Sequence, residues 1–446
     1  MRLLALVLLA SGCASSDAPS PRVPSVPGAR ADTTLPAAVP TAALAVTPIR
    51  VTVEGLPEPY ATESARKGPN TVDPPRDARL NVPPGFAVQV WADGLDRPRW
   101  LALAPDGSVL VAESRRDQIR RLHDADGDGV ADESSVFATK LANGLNQPLG
   151  MAFGPSGQDG ESPFFIGNTD EVRRYDYRRG DSTLGGRGER VVRLPGGGYN
   201  QHWTRNVVAT PAGDSLYVTV GSESNVDVEE LPRASVFRIA LDGSGRETVS
   251  FGLRNPVGLA FHPTTGEPYV TVNERDRLGD GLVPDYLTRI GGGRFFGWPY
   301  AYLASGNLDP RRMDGSQSEA PDLAARTVTP DVLFEAHSAA LGLAFYPESG
   351  AAAAASQFPA RYHGGAFVAF RGSWNRSAGT GYKIVHVPFR AGRPTGVYED
   401  FVTGFLIDPS GPTTWARPVG TLVLPDGSLL FTDEGNGRVY RVSYVG

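Results

Sequence analysis

Three segments of the sequence carry side chains that could form a reaction centre. His202 lies in HWTRN, Arg254 and Asn255 are adjacent in GLRNPVGLAFHP, and carboxylates follow in NERDRLGDGLVPDY from Asn273. An imidazole suits a general base because its unperturbed pKa lies near neutral pH, and a guanidinium can stabilise a developing oxyanion. We interpret the segments as one site. The alternative for His202 is a loop histidine whose hydrogen bonds are satisfied within the fold.

The carboxylates of the third segment suggest a calcium site. Asp276, Asp280 and Asp285 lie in one loop at close, irregular spacing. Hard oxygen ligands favour calcium over a transition metal. The sequence therefore predicts that this loop helps to hold calcium.

A second acidic segment, DADGDGVADE, resembles an EF-hand loop. Asp124, Asp126 and Asp128 have the required spacing, but the twelfth position is Ser135 instead of Glu. The segment is either a structural calcium loop or an acidic turn, and the sequence leaves both open.

A repeated hairpin pattern predicts the scaffold that positions these groups. Segments such as RPRWLALAPDGSVLVAES and RPVGTLVLPDGSLLFTDEG each contain an apolar strand, a turn and a second apolar strand. Six copies start near residues 98, 148, 205, 256, 340 and 418. With 53 Gly and 38 Pro in 446 residues, this spacing favours an all-β, six-bladed β-propeller over residues 76–446. A β-sandwich is the alternative, but it does not explain the repeat.

The ends of the domain have a predicted role in closing the propeller. The last hairpin ends close to the C-terminus, so we expect the strand within LNVPPGFAVQVWA, Leu80 to Ala92, to complete the final blade. Loops that precede the inner strands then surround a central funnel, where binding residues collect. The candidates there include Gln147, His202, Arg254, Asn255, His337, Arg371 and Arg417.

Several arginines that converge on one funnel indicate an anionic ligand. Like charges repel each other unless an anion compensates them, which favours a small, acidic, planar cofactor. The net charge of −6 and the lack of a basic stripe argue against nucleic acid as a partner.

The N-terminal residues predict a targeting segment followed by a flexible linker. MRLLALVLLASGC has a positive residue, a short apolar run and a terminal Cys13, the pattern of a bacterial lipoprotein signal over residues 1–13. We expect residues 14–75, rich in Ala, Pro and Ser, to form a disordered linker. The domain is then extracytoplasmic and lipid-anchored, in the outer membrane of a double-membraned cell. An ordinary secretory signal is the alternative.

In this order, the segments resemble the soluble quinoprotein aldose dehydrogenases, in particular their sorbosone dehydrogenase-like branch. The resemblance rests on LGMAF, HWTRN, GLRNPVGLAFHP, GWPY, HSAALGLAFY, FRGSWNRS and ARPVG, and it covers Leu80 to Tyr444. It implies a six-bladed propeller that binds pyrroloquinoline quinone (PQQ) with calcium and oxidises an aldose or a sugar aldehyde.

The resemblance also implies roles for individual residues. His202 matches the general base, Arg254 and Asn255 match the pair that hydrogen-bonds the quinone, and Arg371 and Arg417 match cofactor-binding residues. His337, Trp298 and Gln147 are weaker pocket candidates. In the calcium loop, Arg275 and Asp276 are implied to contribute main-chain oxygens. Asn200 and Gln201 precede His202 where glucose-oxidising relatives carry a carboxylate, so the base is not oriented by that neighbour.

Two other classes of function remain as alternatives. A metal-dependent propeller hydrolase such as a lactonase needs a ring of carboxylates, and the convergent arginines argue against it. A non-catalytic binding propeller leaves the base and the metal loop unexplained. Cys13 is the only cysteine, so there is no haem-attachment motif. Electrons therefore pass to an external acceptor, a cytochrome or a quinone.

Overall fold

Nearly all of the regular structure is β-strand, as predicted. The computed structural model describes residues 38–157, 159–196, 202–348 and 356–446. Within these ranges the α-helices are single turns, Lys140–Asn143 and Pro321–Ala324, and the 3-10 helices are Val53–Gly55, Ser114–Arg116 and Ala360–Tyr362. None of the described helices is long and apolar enough to cross a membrane.

Six mainly antiparallel sheets of four or five strands follow one another in the described part of the chain. Sheet 1 contains Trp100–Leu103, Val109–Glu113, Gln118–His123 and Glu133–Thr139. Sheet 2 contains Met151–Phe153, Glu161–Gly167, Glu171–Arg178 and Glu189–Arg193. Sheet 3 contains Val207–Ala209, Ser215–Val220, Ser235–Ala240, Glu247–Phe251 and Arg294–Phe295.

The remaining three sheets repeat the plan. Sheet 4 contains Asn255–Phe261, Pro268–Asn273, Pro284–Arg289 and Val332–Ala336. Sheet 5 contains Ala340–Phe345, Ala366–Phe370, Lys383–Val387, Tyr398–Val402 and Pro48–Ile49. Sheet 6 contains Pro418–Val423, Leu429–Asp433, Arg438–Tyr444 and Phe86–Ala92.

The sixth sheet joins the two ends of the domain. Phe86–Ala92 pairs antiparallel with Arg438–Tyr444, as expected from the apolar run before residue 92. The first strands of successive sheets contact one another in order, and the first strand of sheet 6 contacts that of sheet 1. The six first strands therefore surround a common axis.

Glycines in the repeated hairpins allow the first strands to approach each other. A Cβ atom at Gly258 would clash with the carbonyl oxygen of Leu341, and one at Gly342 would clash with that of Val419. Only glycine fits where two backbones come this close. The hydrophobic core lies between neighbouring sheets; for example, Phe165 of sheet 2 packs in one cluster with Val218 of sheet 3.

The predicted linker over 14–75 is wrong from residue 38 onward. Thr41–Ala43 pairs with Leu80–Val82, Pro48–Ile49 extends sheet 5, and Asn70–Thr71 pairs with Thr413–Thr414. Ile49, Val51, Val53 and Leu56 pack against the core, so this segment gains enough apolar burial to be ordered. The signal predicted over 1–13 and residues 14–37 of the linker lie outside the described residues. The other short strands are Leu406–Asp408, Met313–Asp314, Gln317–Ser318, Phe389–Arg390 and Arg393–Pro394.

Candidate active site

A cavity of about 330 Å³ lies where the first strands of the sheets begin. Its walls come from segments that precede first strands, such as His202 to Thr204 and Arg417, and from the ends of second strands, such as Glu274 and Arg371. The structure brings eight of the predicted site residues to this cavity. They are His202, Arg254, Asn255, Asp276, Asp285, His337, Arg371 and Arg417.

Glu434, which the sequence did not single out, organises one wall of the cavity. Its carboxylate is buried and accepts hydrogen bonds from Arg99, from Arg371 (Nε, 2.7 Å) and from Arg417 (NH1, 3.3 Å). Burial alone would raise the pKa of Glu434, but the three guanidinium groups hold it far below its usual value. We call Arg99, Arg371, Arg417 and Glu434 the arginine cluster.

The arginine cluster keeps an excess of positive charge despite Glu434. A fourth guanidinium, from Arg115, also lines the cavity. Burial lowers the pKa of both Arg99 and Arg417 to about 10, which reflects the cost of keeping these charges away from water. The prediction that only a ligand compensates the arginines is therefore wrong in part, because one carboxylate of the chain lies among them. The remaining charge still favours an anionic ligand.

His202 has the geometry of a neutral base. Its Nδ1 lies 3.1 Å from the carbonyl oxygen of Ser222 and 2.9 Å from the Ser222 hydroxyl. A carbonyl can only accept, so Nδ1 carries the proton and the lone pair of the imidazole is on Nε2. Burial, followed by the charge of Arg254, lowers the pKa of His202 well below its usual value. The ring is therefore neutral at pH 7, with one proton on Nδ1.

Arg254 forms hydrogen bonds within the protein through every nitrogen of its guanidinium. Its Nε donates to the Asn225 carbonyl, NH1 donates to the carbonyls of Asn273 and Glu274, and NH2 donates to Asn225 Oδ1 and Asp276 Oδ2. All five N–H groups of the guanidinium thus have acceptors within the protein. Arg254 and Asn255 both line the cavity, and the buried Oδ1 of Asn255 has no hydrogen-bond partner among the described residues.

Two buried acids, Glu274 and Asp285, also line the cavity. Burial raises the pKa of Glu274 to about 8 and that of Asp285 to about 6. Asp285 accepts hydrogen bonds from the backbone N–H groups of Glu274 (2.9 Å) and Ala339 (2.6 Å). The buried hydroxyl of Tyr286 lies beside the Glu274 carboxyl, and burial together with this carboxyl raises the pKa of Tyr286. These carboxyl groups are the oxygen-rich part of the cavity.

His337 lies beside Asp276 in the wall of the cavity. Its Nε2 donates to the Gly279 carbonyl at 3.0 Å, and its Nδ1 lies 3.7 Å from Asp276 Oδ1. Burial lowers the pKa of His337, but the hydrogen bond and the charge of Asp276 outweigh it, so the pKa is raised. Arg254 and His337 in turn lower the pKa of Asp276 against the effect of burial.

Four other predicted residues lie outside the cavity. Arg275 is buried in an ion pair with Asp309, and the main-chain oxygen predicted from Asp276 already accepts from Asn225 and Arg275. The Asp280 carboxylate accepts a hydrogen bond from the backbone N–H of Ser377 at 2.9 Å. The backbone N–H of Gln147 donates to Asp117 at 2.6 Å. Trp298 is buried and donates to the Asn225 carbonyl at 2.9 Å, so it supports Asn225 without lining the cavity.

The second acidic loop is separate from this site. Carboxylate oxygens of Asp124, Asp126 and Asp128 lie within 4.8 Å of one another, between the third and fourth strands of sheet 1. The loop also uses these oxygens for its own backbone: Asp124 accepts from Gly127 and Gly129, both at 2.9 Å. Calcium binding here stays a prediction.

A family model described as TrAA12-like matches residues 80–283 and 313–445. These ranges include all six sheets except for parts of sheets 3, 4 and 5. The chain belongs to the TrAA12-like family. Residues before 80 and residues 284–312, including Trp298, fall outside the match.

Comparisons with individual proteins agree with the family. The chain is 28% identical over 386 residues to an uncharacterized protein of Borreliella burgdorferi, in a match that covers 82% of this chain and 91% of that protein. It is 24% identical over 438 residues to a pyrroloquinoline quinone-dependent pyranose dehydrogenase of Coprinopsis cinerea, in a match that covers 82% of this chain and 54% of that protein. The chain thus spans about half the length of this dehydrogenase.

Solved structures show the same fold. A calcium structure of the Trichoderma reesei family AA12 enzyme has a TM-score of 0.68 at 19% identity, covering 84% of this chain and 99% of that one. The holo form of the PQQ domain of the Coprinopsis cinerea dehydrogenase has a TM-score of 0.65 at 23% identity, covering 83% and 98%. The resemblance to PQQ-dependent sugar dehydrogenases, inferred from the sequence motifs, is confirmed.

Proposed function

We propose that this chain is a calcium-requiring, PQQ-dependent dehydrogenase that oxidises an aldose or a related sugar aldehyde, and that its six sheets are the blades of a six-bladed propeller. The observation that carries the proposal is the arginine cluster, which surrounds one carboxylate with more positive charge than it neutralises, in a chain of the TrAA12-like family. PQQ is a small planar tricarboxylic acid, and its charge is complementary to that wall.

The residues of the cavity fit such a ligand. Arg371 is the most exposed guanidinium of the cluster, with 29% of its side chain accessible, and guanidinium groups bind carboxylates strongly. Asn255 lines the cavity, and its buried Oδ1 has no hydrogen-bond partner among the described residues. Arg99, Arg371 and Arg417 would hold the carboxylates, and Asn255 would contact the opposite edge.

The cavity also has oxygen donors for a calcium ion. Glu274 and Asp285 are buried acids with raised pKa values, and a bound divalent cation would favour their ionised forms. Calcium prefers carboxylate and carbonyl oxygens. We assign Glu274 and Asp285 as its protein ligands, in place of the main-chain oxygens of Arg275 and Asp276. The relative from Trichoderma reesei supports a role for calcium in the family.

His202 is the group that we assign to proton transfer. Its lone pair on Nε2 can accept the proton of the anomeric hydroxyl, while Nδ1–H stays bonded to the Ser222 carbonyl. Because burial and Arg254 lower its pKa, the ring is ready to accept a proton at neutral pH. When bound, PQQ would serve as the two-electron oxidant of the sugar carbon.

Arg254 contributes by its position. Its charge lies beside the cavity and is held by Asp276 at 2.8 Å, so it favours negative charge that develops nearby. It also keeps Asn225 and Asp276 in place through hydrogen bonds of 2.9 and 2.8 Å. Arg254 is therefore a positioning residue with an electrostatic effect on the reaction.

The electron acceptor and the location of the protein are proposed from the sequence. The chain has a single cysteine, which excludes a Cys-x-x-Cys-His haem site. We propose that electrons pass to an external cytochrome or quinone. We also propose that Cys13 carries a lipid anchor and that the domain lies on the periplasmic side of the outer membrane.

The direct test is reconstitution of apo-protein. PQQ binding is followed by absorbance with and without calcium, and turnover is followed by reduction of an artificial dye across a panel of aldoses. We expect binding and dye reduction only when calcium is present. If calcium-loaded protein shows neither, the proposed function is wrong, and hydrolysis of sugar lactones is the activity to measure next.

A further inference from the structure

Residues 57–72, which we call the strap, lie across the face of the domain that contains the cavity. The strap precedes residue 80, where the match to the TrAA12-like family begins. One of its residues, Pro69, lines the cavity together with Trp374, Arg371 and Arg417. The wall of the cavity is therefore built partly by a segment that the family pattern does not include.

The first part of the strap is fixed to the loop that follows the second strand of sheet 4. Tyr60 N donates to the Leu278 carbonyl at 2.7 Å, and Asp280 N donates to Thr62 Oγ1 at 2.7 Å. The intervening Gly279 accepts the hydrogen bond from His337 Nε2. This end of the strap thus contacts a loop that also holds a cavity residue.

The second part is fixed to the loop that follows the second strand of sheet 5. Lys67 N donates to the Trp374 carbonyl at 2.8 Å, and Lys67 Nζ donates to the carbonyls of Ser377 and Ser410, both at 2.9 Å. Asn375 Nδ2 donates to the Ala65 carbonyl. Lys67 therefore joins the strap to two loops and fixes the backbone of Trp374.

The C-terminal end of the strap is fixed by a third set of hydrogen bonds. Asn70 N donates to the Pro412 carbonyl and Val72 N donates to the Thr414 carbonyl, both at 2.9 Å. Pro69 lies between these bonds and those of Lys67. A proline between two anchored neighbours has little freedom to move, because its ring fixes φ. Moving it aside would break several of these hydrogen bonds.

We propose that the strap determines the length of the saccharide that the site accepts. Pro69 and Trp374 form part of the wall of a cavity of about 330 Å³, so we expect a single sugar unit to fit and a second unit linked to it to meet the strap. The substrate class is accordingly a free monosaccharide. This inference rests on the proposed sugar dehydrogenase function.

The test compares one monosaccharide with its disaccharide in the wild-type holoenzyme and in two strap variants. Lys67→Ala removes both Nζ hydrogen bonds, and Pro69→Gly removes the ring from the cavity wall. Arg50→Ala is the matched control, because Arg50 belongs to the same N-terminal segment and makes one exposed hydrogen bond to the Thr395 carbonyl, at 3.4 Å, away from the cavity. The measured quantity is kcat/KM for maltose divided by kcat/KM for glucose, by dye reduction.

We expect wild type and Arg50→Ala to disfavour maltose equally, and each strap variant to raise the ratio by about tenfold, the usual scale for steric discrimination in a pocket. Isothermal titration with the two sugars should show the same change in the ratio of Kd values without turnover. The proposal is overturned if wild type accepts both sugars equally, or if the ratio stays within about twofold of wild type in both variants. Absence of dye reduction with every sugar in wild type would instead reject the proposed function.

Discussion

Replacing Glu434 with glutamine tests whether the positive charge of the arginine cluster destabilises the apo-protein and is compensated by a bound anion. Glu434→Gln keeps the shape of the side chain and removes its charge. Arg99, Arg371 and Arg417 then face one another without a carboxylate between them, and 9%, 29% and 13% of their side chains are exposed. We expect the apo-protein to lose stability and the cofactor to restore it.

The expected loss follows from burial. Removing one partner of a buried ion pair typically costs about 3–5 kcal/mol because the remaining charge stays away from water. Arg371 is partly solvated, so we expect about 3 kcal/mol for Glu434→Gln, near the lower limit of that range. Glu267→Gln is the control, because Glu267 also pairs with two arginines, Arg289 and Arg393, at a half-exposed position. It should cost about 1 kcal/mol or less.

Urea unfolding of the apo-proteins at pH 7 measures these differences. Since the folded-state pKa of Glu434 is lowered, its contribution is fully present above the unfolded pKa of about 4.3 and is lost as the pH falls below it. The difference in the free energy of unfolding between wild type and Glu434→Gln should therefore become smaller below about pH 4. PQQ with calcium should raise the Tm of the variant more than that of wild type. A destabilisation no larger than that of Glu267→Gln would refute the reasoning.

The further predictions concern the base, the metal and the anchor. His202→Ala should retain PQQ and calcium but lose about 10²- to 10⁴-fold in turnover; near-normal turnover would remove His202 from the mechanism. In wild type, the lowered pKa of His202 predicts that turnover persists as the pH falls through 6.5, which a pH–rate profile checks. Chelation of calcium should release PQQ. If the second acidic loop also binds calcium, the double variant Asp126→Asn, Asp128→Asn should show a smaller calcium-dependent rise in Tm and unchanged PQQ binding. Cys13→Ser should move the protein from the membrane fraction to the soluble fraction; unchanged fractionation would favour plain secretion.

The sequence predicted the sheets and part of the cavity lining because both follow from a local repeat. Each hairpin has two apolar strands and a turn, and residues that precede the first strands meet at the common axis. His202, Arg254, Asn255 and Arg417 occupy such positions and line the cavity. The repeat also predicts a second set of site residues, because the residues that follow the second strands meet at the same axis. Aligning the hairpins on that position would have found Glu274 and Glu434.

The sequence by itself determined the all-β class, the closing strand and the basic character of the site, because alternation and turn residues are local properties of the chain. Only the tertiary structure decided how the charges are paired. Asp276 and Asp280 share one loop, yet one binds Arg254 in the cavity and the other caps Ser377 outside it. Residues 38–75 have little apolar periodicity, and their order comes from pairing with distant segments, such as Asn70 with Thr413. Contacts between residues so far apart depend on the assembled sheets, which no local pattern specifies.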